Sequence, residues 1–82
     1  RGVILNTEPD WRHDSWFSVE AQTADGSSLE GYRFEDCGHV EADGVACRVR
    51  WGTQTRLPAD RGPLRLRIRL HRQRLYAIRF EE

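Results

Sequence analysis

Toward its end the chain alternates apolar and charged residues with a period of two. Leu64, Leu66, Ile68 and Leu70 alternate with Arg65, Arg67, Arg69 and His71, the spacing of a half-buried strand, whose successive side chains point to opposite faces. A second alternation follows, with Tyr76, Ile78 and Phe80 on one side and Ala77 and Arg79 on the other. Setting Leu70 opposite Tyr76 aligns Ile68 with Ile78 and Leu66 with Phe80. The pattern therefore predicts a terminal hairpin over residues 62–82, turning near Gln73, with its large apolar residues on one face and Arg79 opposite Arg67. A tighter turn pairing Leu70 with Leu75 would set Leu66 against Arg79, and a one-residue slip of that kind moves side chains to the wrong face.

Earlier segments repeat the theme. Gly2-Val3-Ile4-Leu5 is a short apolar run that predicts a first strand, placed at a sheet edge. Residues 15–22 set Phe17, Val19 and Ala21 against Trp16, Ser18, Glu20 and Gln22. Asp25-Gly26 between alternating runs is a strong hairpin signal; it predicts a returning strand at 29–34 with Tyr32 and Phe34 on one side. Residues 45–51 alternate with Val45, Cys47, Val49 and Trp51 inward, and Leu57 is expected to plug the edge of the core. Between these runs lie polar stretches rich in turn residues. No segment has a helical period or a capping box. The expectation is an all-β chain, an antiparallel, jelly-roll-like β-sandwich of about six strands forming a single domain over residues 1–82.

Length and charge narrow the picture. With 82 residues, folding buries roughly 60% of the unfolded surface, which makes a modest core. The formal net charge is zero, so no global field draws the chain to nucleic acid or to an anionic membrane. All 13 basic residues are Arg, and Met is absent. The all-Arg set is read as codon bias, and the start at Arg1 as the beginning of a piece of a longer protein. Cys37 and Cys47 permit one disulfide, on the order of 3 kcal/mol if unstrained; a bridge and two free thiols both remain open. Neither cysteine has metal-ligand or CxxC spacing, and no cofactor motif is present.

The candidate binding residues are aromatic and basic. Trp51 lies in the apolar phase of its strand and is read as core, whereas Trp16 is out of phase with its apolar neighbours and Trp11 lies in a loop. Those two rings, with His13 and Asp14 from the same loop cluster, are the candidate ligand contacts, since flat rings flanked by polar groups hold sugars. The competing reading of that cluster is a solvated loop whose Asp and His side chains satisfy turn backbone. Arg65, Arg67, Arg69 and Arg79 form a candidate partner-facing surface able to meet an acidic glycan or phosphates. Its alternative is a charged face neutralised by Glu20, Glu30, Glu35, Glu81 and Glu82. His39 and His71 have no evident second ligand. No aromatic residue interleaves with the arginines, which weighs against nucleic acid.

No reaction is written in the sequence. Ser15, Ser18, Ser27 and Ser28 lie outside any nucleophile elbow. No glycine-rich phosphate loop occurs, and paired carboxylates across a cleft are not expected in so small a core. The chain is expected to be non-catalytic.

Several stretches together resemble a known module. They are Val19-Glu20, Ala24-Asp25-Gly26, Gly31-Tyr32, Asp36-Cys37, Val49-Arg50-Trp51-Gly52, Pro63 to Ile68, and Leu75-Tyr76-Ala77-Ile78-Arg79-Phe80. In this order the chain resembles the C-terminal β-sandwich of bacterial secreted proteins akin to family 32 glycoside hydrolases and sialidase-like propeller proteins. It departs from that pattern at Gly52-Thr53-Gln54-Thr55 and at Cys47. The resemblance implies an extracellular or periplasmic accessory domain, packed on an upstream domain of the same protein, with catalytic carboxylates elsewhere. An autonomous carbohydrate-binding module using Trp11 and Trp16 is the alternative. A sandwich this short would leave an exposed edge, which favours a homodimer.

Overall fold

The computed structural model describes residues 1–10, 14–41 and 44–81. Its elements are β1 (Gly2–Pro9), β2 (Trp16–Thr23), a single-turn helix α1 (Phe34–Cys37), β3 (Gly44–Arg48), β4 (Leu64–His71) and β5 (Gln73–Glu81). The all-β class holds, with five strands among the described residues in two antiparallel sheets, ordered β3-β1-β5 and β2-β4. Val3 and Leu5 of one sheet share a single core cluster with Phe17 and Val19 of the other, completed by Val49 and Trp51.

β1 lies at the centre of its sheet, not at the predicted edge. The unbroken apolar run explains this, because Val3, Ile4 and Leu5 are all buried and such a run suits a strand covered on both faces. Ile4, on the outer face, stands in register between Arg48 and Arg79, whose aliphatic stems can lie beside it.

The predicted terminal hairpin does not form. β4 pairs with β2, so that Leu66 faces Ala21 and Ile68 faces Val19, while β5 pairs with β1, so that Ile78 faces Leu5 and Phe80 faces Val3. One residue, Arg72, separates the two strands, fewer than the two that the tightest common hairpin loop requires. Arg72 adopts φ 54°, and its carbonyl accepts the Asp10 N–H at 2.7 Å. The chain thus turns a corner from one sheet into the other. Alternation fixes which side chains share a face; it does not say which strand lies alongside.

This corner leaves both β4 and β5 at sheet edges. Leu66 and Ile68 pack against the core, but Leu70, Ile78 and Phe80 stay 44%, 41% and 47% exposed. Ile78 and Phe80 nevertheless share the inward face, because cross-strand partners in register point the same way. A bulge between Asn6 and Thr7 shifts the β1–β5 register. It turns Leu75 inward against the core and leaves Tyr76 outside, where its hydroxyl donates to Glu8 at 2.7 Å.

The predicted strand at 29–34 is also replaced. Leu29 donates to the Ala21 carbonyl at 3.0 Å and Ala21 to the Tyr32 carbonyl at 2.9 Å, after which the chain turns at Gly31 (φ 86°) and enters α1. The Asp36 carboxylate accepts the Arg33 N–H at 3.0 Å, half of a capping box that has no Ser or Thr to mark it in the sequence. The expected turn at Asp25-Gly26 is present, with Gly26 at φ 90°.

Between these contacts the edge of β2 is closed by side chains. Trp51 donates its indole N–H to the Val19 carbonyl at 2.8 Å, and the Val19 N–H points to Cys37 Sγ at 3.5 Å. Cys37 and Cys47 are free thiols. Trp51, Val49, Cys47 and Leu57 occupy the core or its margin as expected; the Val45 side chain lies outside the described residues.

The corner makes a direct prediction. A left-handed conformation costs an L-residue roughly 1–2 kcal/mol, so Arg72→Gly is expected to leave thermal stability equal or higher. Arg72→Pro, whose φ is locked near −65°, is expected to destabilise by about 3 kcal/mol or more. Equal melting temperatures for the two variants would contradict the corner.

Candidate functional site

The alternation of β2 sends Phe17, Val19 and Ala21 into the core and leaves Trp16, Ser18, Glu20 and Gln22 on the outer face. Register then sets Trp16 beside His71, Ser18 beside Arg69, Glu20 beside Arg67 and Gln22 beside Arg65. On the other flank of β2, Phe17 and Val40 exchange backbone hydrogen bonds at 3.0 and 2.8 Å, which brings the segment carrying Phe34 and His39 alongside. The result is a cup of about 540 Å³ whose lining includes Trp16, Glu20, Ser28, Phe34, His39 and Arg69.

Glu20 forms the floor and is only 7% exposed. Its carboxylate accepts Gln22 Nε2 at 2.9 Å and Ser28 Oγ at 3.0 Å. Burial pushes its pKa upward; hydrogen bonds from Gln22, Ser28 and the Phe34 backbone, with the charge of Arg67, outweigh that and hold it below the ordinary 4.5. Ser18, also buried, donates to the Phe34 carbonyl at 3.3 Å. The floor is thus an ionised, fixed acceptor.

The aromatic wall is already occupied. The Trp16 ring stacks on His39 with centroids 3.6 Å apart and planes 3° apart, and on His71 at 5.3 Å and 21°. These two histidines come from opposite flanks of β2. His71 Nε2 lies 3.1 Å from Asp14 Oδ2, a hydrogen bond that holds the Asp14 carboxyl below its usual range against desolvation, helped by the charges of His71 and Arg72. The Arg69 guanidinium lies over the Phe34 ring at 4.0 Å.

The structure therefore gathers some of the sequence candidates and separates others. Trp16 and Asp14 both meet His71, while Trp11 and His13 lie outside the described residues. Arg65, Arg67 and Arg69 share the outer face of the β2–β4 sheet. Arg79 does not join them: it stands in the other sheet opposite Ile4, because the register that placed it against Arg67 is not formed. Of the expected counter-charges, Glu20 sits beside Arg67, Glu35 pairs with Arg33 at 3.8 Å, and Glu81 pairs with Arg48. His39, Ser28 and Phe34 were not recognised as site residues. His71 could have been, once β4 is paired with β2; nothing in the sequence marks His39. Among the described residues no group of three His, Cys, Asp or Glu side chains could hold a metal ion.

A second hollow of about 500 Å³ opens at the free margin of the molecule, lined in part by Arg1, Leu57, Pro58, Pro63, Leu64 and Phe80. Apart from Arg1, the side chains that line it are apolar.

Compared with family models, curated proteins and solved structures, the chain matches none. Geometry and chemistry must carry the functional reading.

The electrostatics of Glu20 yield a pH prediction. A carboxyl with a folded pKa below 4.5 stabilises the fold above that value, and the contribution is lost as pH falls through the folded pKa. Glu20→Gln is therefore expected to flatten the acid limb of stability against pH, measured by urea unfolding. An acid limb as steep as that of the unsubstituted chain would contradict this.

Proposed function

We propose that this chain is a non-catalytic accessory β module that packs on a neighbouring domain of the same protein through the open side between β4 and β5. The observation that carries this reading is the exposure of Leu70, Ile78 and Phe80. These large side chains belong to inward strand faces yet stay two-fifths to one-half exposed, with the Arg1 guanidinium over the Phe80 ring at 6.0 Å. Apolar surface of this kind, continuous with the hollow at Leu64 and Phe80, is what a domain contact uses. The secreted, carbohydrate-active setting of the proposal rests on the sequence resemblance alone. A partner domain would continue the two interrupted sheets or lie across their margin; in its absence, a second copy of the chain is the natural substitute.

The rival reading, a carbohydrate-binding module using Trp11 and Trp16, is disfavoured at Trp16 by the stack around that ring, while Trp11 lies outside the described residues. A sugar that lies on tryptophan needs an open ring face, and here His39 and His71 stand against Trp16 from the two flanks of its strand.

The isolated chain is expected to bind an apolar dye and to self-associate between micromolar and millimolar concentration in sedimentation experiments. Ile78→Thr with Phe80→Thr keeps strand propensity and is expected to abolish both, at a cost of about 1–2 kcal/mol per half-buried site. A strictly monomeric wild-type chain that binds no dye would exclude the packing role.

A further inference from the structure

The cup on the β2–β4 face has a chemistry that the packing proposal does not use. Its floor is a fixed carboxylate, Glu20, that accepts hydrogen bonds from Gln22 and Ser28. Its wall carries Arg69, set over Phe34 at 4.0 Å and without a carboxylate partner among the described residues. In register, Arg69 faces Ser18 and Glu20 faces Arg67, so the free guanidinium and the fixed acceptor are diagonal neighbours, about 7–8 Å apart at the backbone. Stacking holds the planar guanidinium in place, which favours two-pronged recognition of a carboxylate.

We propose that this cup binds a saccharide acid of the uronic-acid class, its carboxylate on Arg69 and its hydroxyls on Glu20, Ser28 and His39. Three observations select this ligand. First, beside the mutually paired Arg33 and Glu35 of its lining, the cup sets Arg69, which has no carboxylate partner among the described residues, near the ionised acceptor Glu20, which suits a ligand bearing an isolated anion among hydroxyl donors. A dense polyphosphate would place negative charge against Glu20. Second, the cup offers no open tryptophan face, since Trp16 is flanked by His39 and His71; a single-stranded nucleic acid needs such a platform, whereas charge and hydroxyl recognition does not. Third, Arg67 and Arg65 continue from Arg69 along β4, alternate residues of a strand standing about 6.5–7 Å apart. A row of cations leading out of the cup can follow the successive carboxylates of an acidic glycan.

The test uses the 82-residue chain with tri-galacturonate, the neutral galactotriose and an oligothymidylate as probes. Calorimetry and amide and guanidinium chemical shifts are the readouts. Tri-galacturonate is expected to bind, more weakly as salt is raised, and to shift Ser28, Phe34, His39 and Arg69. Galactotriose and oligothymidylate are expected to bind at least tenfold more weakly. Arg69→Gln should lower affinity tenfold or more, and Arg69→Lys should recover only part of it because the fork is lost. Ser28→Ala, at an exposed position, provides a second variant, expected to weaken binding several-fold with the fold intact. No binding of tri-galacturonate, equal binding of either control, or unchanged affinity in both the Arg69→Gln and Ser28→Ala variants would overturn the assignment.

Discussion

At Arg72 the chain has one residue in which to leave β4 and begin β5. Because β4 is held against β2 and β5 against β1, each strand runs to the corner itself, and no residues are left over for the loop of a hairpin. Two consequences follow from the same corner. The inward side chains at the strand ends, Leu70, Ile78 and Phe80, lose the mutual cover that a hairpin would have given them. The arginines of β4, instead of facing Arg79, come to lie beside the polar residues of β2. The open margin and the cup are therefore two products of one turn.

The other requirement is that β2 be satisfied on both edges without a third regular strand. β4 closes one edge. The other is closed piecemeal: Ser27 and Leu29 near the turn, Tyr32 at Ala21, Cys37 Sγ and the Trp51 indole at Val19, and Val40 at Phe17. A buried carbonyl left unpaired costs about 1–3 kcal/mol, so the indole bond of Trp51 matters beyond the area the ring buries. Because irregular chain performs this closure, it rises beside the outer face and supplies Phe34 and His39 to the cup wall. A regular strand there would have left that face flat.

How much of this could be read in the sequence depends on whether the signal was local. The inward phases of residues 15–22, 45–51 and 64–69 are properties of each strand alone and follow from alternation, but the burial of the outward Ser18 and Glu20 does not, because irregular chain covers that face. Trp16 on the outer face and Trp51 in the core followed from the same phase argument. Strand pairing is not local. The alternations of β4 and β5 fit a hairpin looping over residues 71–75 and fit two sheets equally well, and no local signal distinguishes them. The central place of β1 was signalled by three consecutive apolar residues, Val3, Ile4 and Leu5. The cup was legible only in parts, since Glu20 and Arg67 become neighbours through β2–β4 pairing and His39 reaches Trp16 through an irregular loop.

Proton–proton contacts across strands test the corner at Arg72 most directly. Nuclear Overhauser effects between backbone protons are expected for Ile68 with Val19, for Ile78 with Leu5 and for Phe80 with Val3, with none between Ile68 and Ile78. Strong backbone contacts of Leu70 with Tyr76 and Ile68 with Ile78 would restore the hairpin, close the open side and contradict the account.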